Sequence, residues 1–222
     1  MYRSDRPDPS TPYPRDMAVT RDSYHHGALR EALLTASLQL IEAEGIGAVS
    51  LRRVAREAGV SPGAPYHHFP DRASLLAALS AQGFQLLAGE LAAARAAADS
   101  PVRALTALIR AYVTFAQQNP AYFRLMFRPE LFEPQKHPDA KAAEDAAAAC
   151  LEETVAECVR AGVIPAAQAD ELTVTAWSLG HGMASLWLDG ELQDSHDDPG
   201  ILLGQLTGFF ESILVAAQRP VR

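Results

Sequence analysis

The sequence predicts an all-α protein of about nine helices, and three patterns carry that expectation. Apolar residues recur at i, i+3, i+4 and i+7 along most of the chain. The periodic stretches are punctuated by helix grammar, with Ser, Asp or Asn ahead of them and Gly or Pro behind. No stretch alternates apolar and polar residues as a half-buried strand does.

Residues 1–20 hold Pro7, Pro9, Pro12 and Pro14 among Ser, Asp and Arg, a composition that cannot bury a core and reads as a disordered tail. The first helix is expected from about Gly27 to Glu44, with Ala28, Leu29, Ala32, Leu33, Ala36, Leu40 and Ile41 facing inward and Gly45 and Gly47 ending it. Ser50 suits the N-cap of a second helix, whose Leu51, Val54, Ala55 and Ala58 share one apolar face. Gly59 stands where a helix ends in left-handed geometry, and Ser61-Pro62 restarts a helix at once. Two short helices around so tight a corner are a helix-turn-helix, whose second helix enters the DNA major groove. That second helix is unusual. Gly63, Ala64, Pro65, Tyr66, His67 and His68 are small or flat, and Pro65 removes a helical hydrogen bond.

Asp71 caps a fourth helix running to about Ala97. Ser100-Pro101 opens a fifth, to about Gln118, with Leu105, Leu108, Ile109, Tyr112, Val113 and Phe115 inward. Asn119-Pro120 starts a short helix rich in aromatics, and a loop follows over Pro129–Pro138. An Ala-rich helix from about Asp139 to Ala161, one from Asp170 to Leu188 and one from Gly200 to Gln218 complete the chain. The organisation expected is a tail over 1–20, a helix-turn-helix DNA-binding domain over 21–82 and a second helical domain over 83–222.

The chain has 222 residues, 48% of them hydrophobic, enough for a sizeable core. Its two cysteines argue against a disulfide framework and for a reducing compartment. With neither a secretory leader nor an 18-residue apolar run visible, the expectation is a cytoplasmic protein with no membrane partner. The net charge of −8 looks wrong for a DNA binder until it is divided by segment. Residues 21–82 balance six Arg against six acids, whereas residues 83–222 set ten basic residues against eighteen acidic ones. DNA binding must therefore rest on placed side chains and amides and not on a general basic field.

Tyr24-His-His-Gly27, the run Glu44–Ser61 (E-G-x-x-A-V-S-L-R-x-V-A-R-E-A-G-V-S) and Tyr66–Leu76 (Y-H-H-F-P-D-R-x-S-L-L) resemble the N-terminal DNA-binding domain of the TetR/AcrR regulators. Trp177–Leu186 (W-S-L-G-H-G-M-A-S-L) is similar to the W-H-G signature of one ligand-domain subgroup of that family. One departure is Pro65, at a position commonly leucine in the family. The resemblance implies DNA contacts at Tyr24, His25, Ser50, Arg52, Arg53, Ser61, Gly63, Ala64, Pro65, Tyr66, His67, His68 and Arg72. Among these, Ser50, Tyr66, His67 and Arg72 are expected on phosphates, and Arg52, Gly63, Ala64 and Pro65 near bases. The resemblance also implies a homodimer through the last two helices on a palindromic double-stranded operator. Surplus apolar residues on those helices agree, Leu179, Met183, Leu186 and Trp187 on one and Ile201, Leu202, Leu206, Phe209, Phe210, Ile213 and Leu214 on the other.

Trp177 and His181 share a helix face, and the two helices before Pro129 are dense in aromatics. The functional reading is an apolar cavity lined by Tyr112, Phe115, Phe123, Met126, Phe127, Trp177 and His181, holding a small hydrophobic or aromatic effector with one hydrogen-bonding group. The bland reading makes Trp177 and His181 core and Gly182 a point of close helix packing. No second ligand sits at chelating distance from His181, so neither metal nor cofactor is expected. Cys150 and Cys158 lie about 12 Å apart along one helix and read as small core residues. Glu152-Glu153 reads as solvated charge, and no catalytic constellation is present, so an enzyme is not expected. Two functions remain. One is a repressor whose operator affinity responds to the effector; the other is a DNA-binding protein whose filled C-terminal half serves only dimerisation or protein interaction.

Overall fold

A computed structural model describes residues 19–192 and 198–217, with side chains over 27–192, at 198 and over 200–216. Eight α-helices occur among the described residues: α1 (Val19–Glu44), α2 (Leu51–Glu57), α3 (Arg72–Ala96), α4 (Pro101–Gln118), α5 (Pro120–Met126), α6 (Pro138–Arg160), α7 (Ala169–Leu188) and α8 (Pro199–Ala217). The expected tail over residues 1–18 lies outside the described residues, and α1 begins at Val19, before Gly27.

The caps expected at Ser50 and Asp71 form, whereas Asn119 makes no side-chain cap bond. Ser50 Oγ accepts from the Arg53 amide at 3.3 Å, and Asp71 Oδ1 accepts from the Ser74 amide at 2.7 Å. Those Ser74 hydrogen bonds hold the Asp71 carboxyl below its ordinary range. Gly59 turns the chain at φ 68°, which a residue with a Cβ adopts only under strain.

The one element that departs in kind is the third helix of the head. It is a 3-10 turn over Ala64–His67 and not an α-helix. Pro62 and Pro65 have no amide hydrogen to donate, so an α-helical ladder cannot be completed there, and His68 N and Phe69 N both bond the Pro65 carbonyl at 2.9 Å. In α1 the inner stripe is Leu33, Leu34, Ala36, Ser37, Leu40 and Ile41, while Ala28 and Ala32 are exposed.

Around these elements runs one core, from Leu33 and Val54 in the head through Leu75, Leu76 and Leu79 of α3 to Leu105, Val113 and Phe115 of α4. α3 is its spine, packing on α1 at one end and on α4, α5 and α6 along the rest. By length and composition α3 could cross a membrane, which the sequence reading did not foresee, but Leu75, Leu76, Leu79, Phe84, Leu87 and Leu91 are buried in this core. Gly83 lets α5 approach closely: a Cβ there would stand 2.5 Å from the Met126 sulfur.

Candidate DNA interface and ligand cavity

The head presents an exposed edge made by α2 and the turn after it. Arg52, Ser61, Gly63, Tyr66 and His67 are all exposed there, and Ala64 is half-buried. Tyr66 is the large side chain that stands out most, 52% exposed with no core to cover it. These are the groups the edge can offer to phosphates and base edges. Ser50 is also exposed, although its hydroxyl already accepts at the cap.

Other residues expected at DNA are engaged within the head. Pro65 is buried, because the 3-10 turn rotates it toward the core, so it does not lie near bases. His68 is half-buried, its ring tilted against Phe69 at 6.4 Å. Arg53 pairs with Glu44 across the corner between α1 and α2. Arg72 Nε and Nη2 donate to the Val49 and Ile46 carbonyls at 2.8 and 2.9 Å, tying the start of α3 to the loop before α2. Its first task is therefore to hold the head together. The side chains of Tyr24 and His25 lie outside the described residues.

A cavity of about 310 Å³ lies between α3, α4, α6 and α7. α3 contributes Phe84, Leu87 and Leu91, and α4 contributes Leu108, Ile109 and Tyr112. α6 adds Ala147, Ala148 and Leu151 with Glu144 and Glu152; α7 adds Thr173, Val174, Ala176, Trp177 and Gly180, and Phe127 follows α5. Tyr112, Phe127 and Trp177 are thus the expected lining residues that the fold brings together. Trp177 is 50% exposed, which makes it a wall at the mouth and not core.

The other four expected residues stand behind that wall. Phe115 is fully buried, two turns beyond Leu108 on α4. Met126 fills the space over Gly83. Phe123 packs edge-on to Tyr112 at 5.8 Å, and His181 lies 4.7 Å from Phe127 in a T-shaped contact. His181 Nδ1 and the Tyr112 hydroxyl share a 2.8 Å hydrogen bond. Burial pushes the Tyr112 hydroxyl well above the phenol range, against a smaller opposing pull from Trp177, and burial lowers His181 below the ordinary histidine value. The pair is neutral near pH 7 and fixes the cavity's aromatic side. Gly182, expected at a close helix contact, has nothing within 4 Å of an added Cβ; Gly180 instead faces the Tyr112 ring.

Sequence reasoning missed the α3 and α6 walls. The signal was present in α6, where Glu144, Ala147, Ala148, Leu151 and Glu152 follow helical spacing. Glu152 had been read as solvated charge; it is exposed but lines the cavity, while Glu153 pairs with Arg95. Cys158 is buried and its thiol is pushed up to about 11, in keeping with a core residue; Cys150 is half-buried and raised in the same direction by desolvation.

Residues 33–79 match the family described as bacterial regulatory proteins, tetR family, and residues 105–207 match the tetracyclin repressor-like C-terminal domain. The two matches fall on the head and on the helices around the cavity. The chain belongs to the TetR family. BetI of Rhizobium meliloti, an HTH-type transcriptional regulator, is 38% identical over 81 residues, which are 36% of this chain and 40% of BetI. The nucleoid occlusion factor SlmA of Haemophilus ducreyi is 29% identical over 98 residues, 44% of this chain and 48% of SlmA. The chain thus spans half or less of the length of these curated relatives. A Rhodococcus sp. RHA1 protein of unknown function is 32% identical with a TM-score of 0.72, over 85% of this chain and 96% of that one. A tetR-family regulatory protein from Rhodococcus RHA1 shares the fold at a TM-score of 0.66 and 22% identity, over 84% and 96% of the two chains. As a TetR-family member the chain carries the family's helix-turn-helix in its head, and the families it matches are regulators and not enzymes.

Proposed function

We propose that this chain is a cytoplasmic transcriptional repressor that binds a palindromic operator as a homodimer, with an affinity set by a small apolar ligand in the cavity. The observation that carries the reading is the double role of α3. Its first residue, Arg72, clamps the head through the Val49 and Ile46 carbonyls, and its Phe84, Leu87 and Leu91 line the cavity. About twelve residues of helix, roughly 18 Å, separate the two. A ligand that prefers one placement of α3 therefore prefers one placement of the reading edge, which is the condition for shifting an equilibrium. A second link runs beside it, since the Tyr122 hydroxyl donates to Gln82 Oε1, and Gln82 Nε2 donates to Glu31 on α1, both at 3.3 Å.

Dimerisation is supported by the apolar residues that α7 and α8 leave in solvent, Leu186, Ile201, Phe209 and Ile213. Phe210, Leu214 and Met183, grouped with them in the sequence, are buried inside the protomer, so the shared face is narrower than the sequence suggested. The reading in which the C-terminal half is filled and only dimerises has the cavity against it, whose volume is within the ~300–1,000 Å³ usual for ligand sites.

The test begins with operator duplexes selected from a random pool by the purified chain. The neutral probe 2-naphthylmethanol should change operator affinity of the wild type and raise its melting temperature. Trp177→Ala should keep operator affinity and lose the response. A wild type that selects no sequence, or whose operator affinity ignores every apolar probe that stabilises it, overturns the proposal.

A further inference from the structure

The charge on the cavity's rim says more about the ligand than its apolar walls do. Three polar residues line the cavity, Glu144, Glu152 and Thr173, and the Thr173 hydroxyl is already bonded to the Ala169 carbonyl at 2.9 Å. No Lys, Arg or His is among the lining residues. The neighbouring acids of α6 and its surroundings are matched by the protein's own cations. Arg95 reaches Glu153 and Glu157, and Lys141 reaches Asp145 closely and Glu144 only at 3.8 Å. Glu152 has no ion pair among the described residues, although it stands one position from Glu153 and five from Glu157. Across the mouth from α6 stands the half-exposed ring of Trp177, whose face attracts cations.

We propose that the cavity selects lipophilic cations: an apolar body held among Leu87, Leu108, Ile109 and Phe127, and an ammonium or similar head at the rim that Glu152, Glu144 and Trp177 line. The inference rests on the ligand reading above and fixes the sign of the ligand's charge. A carboxylate or phosphate head would meet two carboxylates at the same mouth, with Lys141 already shared between Asp145 and Glu144. A neutral apolar compound would enter but leave Glu152 unmatched, whereas a charged hydrogen bond is worth about twice a neutral one. The carboxylates remain at the water boundary, so the bare protein does not bear the cost of burying them unpaired.

Three probes with one apolar body separate these cases: 2-naphthylmethylammonium, 2-naphthylmethanol and 2-naphthoate, titrated calorimetrically into the full chain. The ammonium should bind about tenfold more tightly than the alcohol, with the naphthoate weakest of the three. In the double variant Glu144→Gln, Glu152→Gln the ammonium and the alcohol should agree within about twofold, with the alcohol's affinity kept. Naphthoate binding as tightly as the ammonium overturns the inference and leaves the apolar-ligand reading standing. An ammonium preference that survives the double substitution also overturns it, because the general negative field of the chain then suffices. If none of the three binds, the ligand reading fails along with the inference.

Discussion

The head and the cavity are built from the same amino acids by opposite means. In the head nearly every feature is fixed by a residue close in sequence: Ser50 on the Arg53 amide, Gly59 at positive φ, Asp71 on the Ser74 amide. Its main long-range tie is a single guanidinium, Arg72 on Val49 and Ile46. The cavity is defined by contacts such as Tyr112 with His181, 69 residues apart, and Arg95 with Glu157, 62 apart. Local interactions write themselves as spacing, and distant ones do not. The cavity also leaves its residues half-committed, some to packing and some to open space, whereas the head leaves only its outer edge free.

The largest effect should come from separating wall from core inside the ligand half. Phe115 and Trp177 look alike in sequence, two aromatics on neighbouring helices, yet one is fully buried and the other half-exposed. Phe115→Ala should cost ~3–5 kcal/mol, the range for large aromatic truncations in a core. Trp177→Ala should change stability by less than about 1 kcal/mol, as exposed substitutions do. Urea denaturation of both variants measures the contrast. Equal losses would mean that Trp177 is core after all.

Next in size is the face that neither half keeps for itself. Phe209 is 67% exposed and Ile213 is one turn further along α8. If a partner copy covers them, the pair Phe209→Glu, Ile213→Glu should weaken self-association by ~3 kcal/mol or more, because two carboxylates would be taken out of water unpaired. Sedimentation should then show a monomer at micromolar concentration, with the helical content unchanged. A variant that sediments as the wild type does would place the interface elsewhere.

The head offers a finer comparison between two arginines that the sequence had grouped together. Arg72 is half-buried on two carbonyls, and Arg52 is exposed with its guanidinium turned outward from α2. Arg72→Ala should lower stability by ~1–3 kcal/mol, since buried carbonyls would lose charged donors. Arg52→Ala should leave stability within ~0.5 kcal/mol and reduce operator affinity. Melting curves and binding isotherms at matched salt, run on both variants, distinguish a brace from a contact.

This division also explains what was legible in advance. Helix ends came through because caps, glycines and prolines act within a turn; the observed bounds of α4, for instance, are those expected from Ser100-Pro101 and Asn119-Pro120. The third helix of the head was legible only as an anomaly: Pro65 warned that the helix was abnormal, and the sequence did not say that the abnormality turns Pro65 inward. In the ligand half, periodicity tells which face of a helix is apolar but not whether that face meets a side chain or a void. Phe115, Phe123 and Met126 met side chains, and Tyr112, Phe127 and Trp177 met the void. The α6 wall went unseen because alanines carry so little hydrophobic signal that Ala147 and Ala148 looked like filler.

The smallest effect tests whether the aromatic side of the cavity is as neutral as its burial demands. His181 is lowered below the ordinary histidine value of about 6.5 by desolvation, so the folded protein takes up its proton less readily than the unfolded chain. Wherever the unfolded state binds more protons, stability rises with pH. The stabilisation linked to neutral His181 is therefore complete above about pH 6.5 and is lost as pH falls from there through the lowered value. Between pH 7.5 and 5.5 the wild type should therefore lose melting temperature through this group, by less than Phe115→Ala removes. His181→Gln keeps a side chain able to bond the Tyr112 hydroxyl but cannot titrate, so its melting temperature should fall less over the same interval. Parallel slopes for the two proteins would show that protonation of His181 is accommodated at the cavity wall, and that water reaches further behind Trp177 than its packing implies.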